Sequence, residues 1–236
     1  MLSAVETLLQ LSTLDAELTR CRIARERLPE RERAATASQA VADWELESAR
    51  LTARIDELTT VIDQAEARGA ELTATKERLE AQMKTVIAPR EAEALMHEIA
   101  TIDSQHDELD LAELGALEEQ SDLDDRLTAH LGQQDGLRAA AVQADEQLTM
   151  AVADIDAEVQ RLEPQRSELF ATLDDRIGRR YGQLLESLGS AVGQLEGSRC
   201  VTCHLDLSPG EVDVARDEAA DTGFTDCPQC GRLFVV

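Results

Sequence analysis

From Leu51 onward the apolar positions step alternately by four and three residues: Leu51, Ile55, Leu58, Ile62, Ala65, Gly69, Leu72, Lys76, Leu79, Met83 and Val86. A mean spacing of about 3.5 keeps one stripe of a helix turned toward a partner helix, so this stretch reads as a coiled-coil seam with Gly69 and Lys76 as its weak members. Leu11, Leu14, Leu18, Cys21 and Leu28 share the spacing until Pro29, where a kink or break is expected. A second seam runs Leu95, Ile99, Ile102, His106 and Leu109. It resumes at Leu123, Leu127, Leu137, Ala141, Ala144, Leu148, Ala151, Ile155, Val159 and Leu162. Slips of phase near Glu113 and near Gly132 and Gly136 predict local unwinding.

Between the seams stands KTVIAPREAEALMHEI. Pro89 cannot continue a helix, and it pushes Ala88 out of the helical region. The same proline, followed by Glu91 and Glu93, suits a first helical turn. The expectation is a long antiparallel coiled-coil hairpin that turns near residues 85–90, with Pro89, Arg90 and Glu91 at its tip. A parallel dimeric coil accommodates Pro89 less well. Pro164 is expected to end the second long helix and open a shorter one, which stops at Gly189.

Composition supports helices over a compact core. Aromatics make up 2% of the 236 residues: Trp44, Phe170, Tyr181, Phe224 and Phe234. A globular core of this size uses more large rings to fill its volume. The net charge is −25, and most of it lies in residues 91–196, which hold 25 acidic and 7 basic side chains. Such a field disfavours nucleic-acid phosphates and anionic membranes, and it favours a basic partner. MLSAVETLLQ has no basic start, and no apolar run approaches a membrane span, so a cytoplasmic location is expected.

After Gly189 the period changes. SAVGQLEGSRC and GFTDCPQCGRLFVV read as short strands around a helical or loop insert, SPGEVDVARDEAADT. Cys200-Val-Thr-Cys203 and Cys227-Pro-Gln-Cys230 form two CxxC pairs separated by 23 residues. Two residues between cysteines let both sulfurs turn onto one cation, and two such knuckles complete a tetrahedral four-sulfur site suited to a single structural Zn²⁺. Gly231 permits the second turn. Three rivals fit less well. CVTCH matches a haem-attachment pattern, but no export signal accompanies it and a second pair is present. A thioredoxin-like centre needs one pair within a βαβ unit. Catalytic zinc keeps a position for water, which four thiolates close. His204 could replace a cysteine as ligand, but a place at the surface or just outside the site is the plainer account.

Arg199 and Arg232 flank the knuckles and are candidate contacts for a partner or for nucleic acid. Solubility or compensation of thiolate charge is the plainer account, because residues 197–236 hold only 3 basic side chains against 7 acidic ones. Arg176, Arg179 and Arg180 make a small basic patch on what reads as a solvated helix face. Cys21 and His106 fall on seams and read as packed residues. No nucleophile–base pair or phosphate-binding loop stands out, so no catalytic residue and no small-molecule substrate are expected. Leu233 and Phe234 are expected to pack the small core, with Val235 and Val236 fraying.

These pieces resemble the bacterial C4-type zinc-ribbon proteins that carry an N-terminal coiled-coil hairpin. CVTCHLDL and CPQCGRLF look like that family's two knuckles, and PREAEALMHEI is similar to its hairpin segment. The resemblance implies a kinked hairpin over residues 1–188, with a zinc ribbon over 189–236 near its base. Cys200, Cys203, Cys227 and Cys230 carry over as ligands. It also implies adaptor or chaperone roles: some relatives bind the nitrogen-type sigma factor, secretion components or a flagellin messenger RNA. The RNA-binding relatives are basic around the ribbon and this chain is acidic there, so RNA binding does not carry over. The expectation is a non-enzymatic adaptor for a protein with a basic surface, in transcription or RNA metabolism. The alternatives are RNA binding through the ribbon and a role as an RNA-polymerase-associated regulator.

Overall fold

The computed structural model describes residues 3–236. The chain is mainly helical, with a small C-terminal sheet. The elements run α1 (Ala4–Glu26), α2 (Pro29–Met83), α3 (Pro89–Leu131), α4 (Gln134–Phe170), α5 (Asp175–Leu188), β1 (Val192–Glu196), β2 (Arg199–Cys200), α6 (Pro209–Glu218), β3 (Phe224–Asp226) and β4 (Leu233–Val235). Two compact units divide the chain. One comprises Arg33–Asp145; the other joins the described residues up to Glu32 with Glu146–Val236.

The Arg33–Asp145 unit is an antiparallel coiled coil of α2 against α3. Leu51, Leu58, Leu72 and Leu79 of α2 are buried at the expected seam positions, and so are Ile102, Ala116 and Leu123 of α3. Cross-helix contacts fix the direction, because residue numbers rise on one helix as they fall on the other. Trp44 donates its Nε1 to the carbonyl of His130 at 2.8 Å, Arg54 donates twice to Glu119, and Lys76 meets Asp103 at 2.5 Å. The weak seam members answer each other. Gly69 lies opposite His106, whose Nε2 is 2.9 Å from the Thr73 hydroxyl, and Lys76 turns outward to its aspartate. His130 Nε2 lies 2.9 Å from the Trp44 carbonyl; since a carbonyl only accepts, that nitrogen carries the proton. At the tip Ala88 is extended and Pro89 opens α3, with Pro89, Arg90 and Glu91 all exposed.

Two local expectations give way. Glu113 lies inside continuous helix, while the break near Gly132 is present. Pro164 does not end the second long helix but lies inside α4, which continues to Phe170. Burial on both sides of the proline explains this. Leu162 is 1% exposed, and Leu169 and Phe170 pack onto the core below, so ending the helix at Pro164 would sacrifice more apolar contact than one missing hydrogen bond.

In the other unit α1 begins with a capping box in which the Ser3 hydroxyl takes the Glu6 N–H and the Glu6 carboxylate takes the Ser3 N–H. The sheet order is β2-β1-β4-β3, with β1 and β4 parallel and the other pairs antiparallel. Alternation along β4 decides what each face meets. Leu233 and Val235 join Leu8 and Leu11 of α1 and Tyr181 and Leu184 of α5 in one core. Phe234, between them, points to the opposite face and joins the cysteines and α6. Val235 therefore does not fray: it is buried and pairs with Phe224 and Gln194, whereas Val236 is 39% exposed. A polar cluster ties α1, α4 and α5 together. Asp15 accepts from the Tyr181 hydroxyl and from Arg166 Nε, each at 2.5 Å, and the Arg166 guanidinium lies over the Phe170 ring.

Candidate metal centre

The strands deliver the cysteines. Cys200 closes β2, which is held to β1 by the Leu195–Cys200 register, and Cys227 follows β3 directly. The two CxxC segments then fold alike. The N–H of His204 donates to the Cys200 carbonyl at 2.8 Å, and the N–H of Gly231 donates to the Cys227 carbonyl at 2.8 Å. Cys200 N–H reaches the Leu205 carbonyl, and Cys227 N–H reaches the Arg232 carbonyl. Each knuckle then turns through a residue of positive φ, His204 at 58° and Gly231 at 69°. Gly231 is the turn residue its position predicts. His204 is the turn residue of the first knuckle, and its side chain is exposed outside the thiol cluster, as the surface reading expects.

The result is one group of four sulfurs. The Sγ atoms of Cys200, Cys203, Cys227 and Cys230 lie within 4.8 Å of one another, which brings all four predicted ligands together. None of the four is in a disulfide. Metal–sulfur bonds of about 2.3 Å in a tetrahedron place sulfurs about 3.8 Å apart, so the cluster could hold one metal ion with little movement. Cys200 and Cys227 are buried; Cys203 and Cys230 are half-buried.

Electrostatics point the same way. Burial pushes the Cys227 thiol up to about 12, although the N–H groups of Gln229 and Cys230 work against it. Burial raises Cys203 as well. Burial also opposes the Cys230 thiolate, but the Arg232 N–H and side chain, together with the neighbouring thiols, hold that group below its ordinary value. Four crowded sulfurs cannot all ionise unless a cation offsets their charge, and a divalent ion would release the retained protons.

Side chains missed in the sequence shape the site. Gly193 of β1 packs on it: a Cβ there would lie 3.0 Å from the Cys200 sulfur and 3.3 Å from Phe234. A glycine inside a strand was the available signal. The insert between the pairs forms a wall of the site, because α6 sets Val212 and Ala215 against Cys200, Cys227 and Phe234. The two flanking arginines brace backbone. Arg199 Nε donates to the His204 carbonyl at 2.9 Å. Arg232 Nε donates to the carbonyl and hydroxyl of Ser190, and its Nη2 reaches the Leu188 carbonyl at 3.2 Å. Arg180 of α5 donates to the Gly231 carbonyl at 2.9 Å, fixing the second knuckle to the helix.

Among the described residues no helix is long and apolar enough to cross a membrane. An uncharacterised protein of Mycobacterium tuberculosis is 28% identical over 233 residues, covering 97% of this chain and 94% of that protein. An uncharacterised protein of Mycobacterium leprae is 29% identical over 120 residues, about half of each chain. Two solved structures share the fold. CT398 from Chlamydia trachomatis superposes with a TM-score of 0.84 at 20% identity, covering 98% of this chain and 97% of that one. A Mycobacterium smegmatis protein superposes at 0.81 with 22% identity over the whole of both chains. The sequence pattern of the CT398-like coiled coil hairpin domain matches residues 11–189, and on that match the chain belongs to this family.

Proposed function

We propose that this chain is a non-enzymatic adaptor in a reducing, cytoplasmic compartment, in which one structural Zn²⁺ sets a small ribbon and the acidic coiled coil presents a docking surface to a basic protein. The observation that carries this reading is the closed thiol cluster. Cys200, Cys203, Cys227 and Cys230 all converge on one point, so a zinc held there keeps no position for water or substrate. Zinc suits four sulfurs in tetrahedral array, and it would supply folding energy to the ribbon rather than reactivity. The docking surface is motivated by charge: residues 91–196 hold 25 acidic against 7 basic side chains.

A protein partner is favoured over nucleic acid. The ribbon holds more acidic than basic side chains, and Arg232 is committed to Ser190 and Leu188. The test has two parts. Native mass spectrometry of carefully prepared protein reads the metal; one zinc per chain is expected, and a value well below one ends the metal reading. Crosslinking mass spectrometry from native cells then compares the intact chain with one whose exposed α3 carboxylates are neutralised. Loss of a specific basic partner is expected. An identical set of crosslinks overturns the adaptor reading.

A further inference from the structure

A second surface has the opposite polarity. Between α5 and the edge strand β3 lies a cleft of about 700 Å³ whose floor includes Ile177, Phe224 and Leu233. One rim is cationic: Arg176, Arg179 and Arg180 fall at helical spacings of three and four, so they share a face of α5. Two aspartates also line the cleft, and both are engaged. Asp174 caps α5 by accepting the Arg176 N–H at 2.9 Å, and Asp226 lies 3.8 Å from Arg180, which also holds Gly231. Arg176 and Arg179 are exposed, and their guanidinium groups have no hydrogen bond or ion pair among the described residues. Two guanidinium groups without a partner among the described residues thus stand beside Ile177 and Phe224, in a cleft that Gln183, Thr222 and Thr225 also line and in a chain of net charge −25.

We infer that this cleft docks an acidic peptide segment of a partner protein, with an apolar side chain seated over Ile177 and Phe224 and flanking carboxylates paired with Arg176 and Arg179. Charge complementarity selects the occupant. The guanidinium fork matches a carboxylate in two parallel hydrogen bonds. At physiological salt, screening over about 8 Å weights the charges that line the cleft over more distant ones. The adaptor test rests on the carboxylates of α3 and this inference on Arg176 and Arg179 of α5, so each stands or falls separately.

The test is fluorescence anisotropy on the full zinc-loaded chain, with a fluorescein-labelled peptide of about a dozen residues composed of Asp, Glu and Phe. Binding is expected, and it is expected to disappear when the peptide's acids are replaced by their amides. The double variant Arg176→Ala/Arg179→Ala weakens it about fivefold, the sum of two exposed ion pairs. Arg176→Glu/Arg179→Glu abolishes it. Both arginines are exposed, so unchanged circular dichroism and melting are expected in each variant. Equal peptide affinity in the wild type and the alanine variant overturns the inference, as does absence of binding. An RNA oligonucleotide that displaces the peptide and loses affinity in the same variants would assign the cleft to nucleic acid and overturn it. Self-association in sedimentation that these substitutions abolish would assign it to a second copy of the chain, with the same consequence.

Discussion

Asp15→Ala tests the junction of α1, α4 and α5. Asp15 is 9% exposed and holds two donors, the hydroxyl of Tyr181, a residue of 0% exposure, and Nε of Arg166, whose side chain is 26% exposed. Removing the carboxylate strands the tyrosine hydroxyl in a dry core, which costs about 1–3 kcal/mol. Water still reaches Arg166, so its loss is nearer ~1 kcal/mol. A total of about 3 kcal/mol follows, and for a chain of this length that is a fall in melting temperature of roughly 6–12 °C. Tyr181→Phe keeps the Asp15–Arg166 pair and should cost less, about 1.5 kcal/mol. The double variant strands no hydroxyl, so its cost should fall short of the sum of the singles by about 1 kcal/mol or more. Urea unfolding followed by near-ultraviolet circular dichroism, to which Tyr181 and Phe170 contribute, measures the series. Hydrogen exchange over α5 locates the loss. Strict additivity, or a cost below ~1 kcal/mol for Asp15→Ala, would refute the view that this carboxylate holds the three helices.

The chain's single tyrosine reports on the same site. Burial, then the Asp15 hydrogen bond, raises the Tyr181 phenol well above its free value of about 10. A raised folded value means that the folded state keeps the proton longer, so stability falls as pH rises past ~10. Tyrosinate absorbance should therefore appear only with unfolding, and ionisation near pH ~10 in the folded chain would contradict the burial. Chelation, or Cys227→Ser, should unfold the ribbon while far-ultraviolet circular dichroism retains most of the helical signal; full ribbon order in hydrogen exchange without metal would contradict a structural ion. Because Cys203 and Cys227 hold their protons when metal-free, zinc affinity should drop as pH is lowered, readable as proton release in calorimetry. Gly193→Ala drives a methyl toward the Cys200 sulfur, so zinc affinity should fall about tenfold or more, as read by competition with a chromogenic chelator; unchanged affinity would show that β1 yields at no cost.

Much of this was legible because periodicity is a one-dimensional record of a helix pair. Each α2 position from Leu51 to Leu79 that the heptad spacing assigned to the seam is buried or half-buried. The CxxC spacing likewise named all four sulfurs of the cluster. The failures were of another kind. Pro164 reads as a stop because its local cost is visible, while the burial of Leu162, Leu169 and Phe170 that outweighs it is not. His204 reads as a surface residue and is exposed, but nothing in its local pattern shows that the knuckle turns on its backbone. Asp15 on α1 is 151 residues from Arg166 and 166 from Tyr181 along the chain, and nothing in their local patterns links it to them.

The sequence by itself determined the helical hairpin, its turn at Pro89 and which four cysteines come together. These depend on repeat, spacing and residue type, which act over a few positions. Tertiary structure alone decided that Phe234 faces the thiols while Leu233 and Val235 face the helices, that α6 walls the site, and that Arg232 serves Ser190 rather than solvent. Those outcomes depend on which faces meet. Burial and hydrogen bonding are properties of the assembled surfaces, and they take a value only once distant segments share one interior.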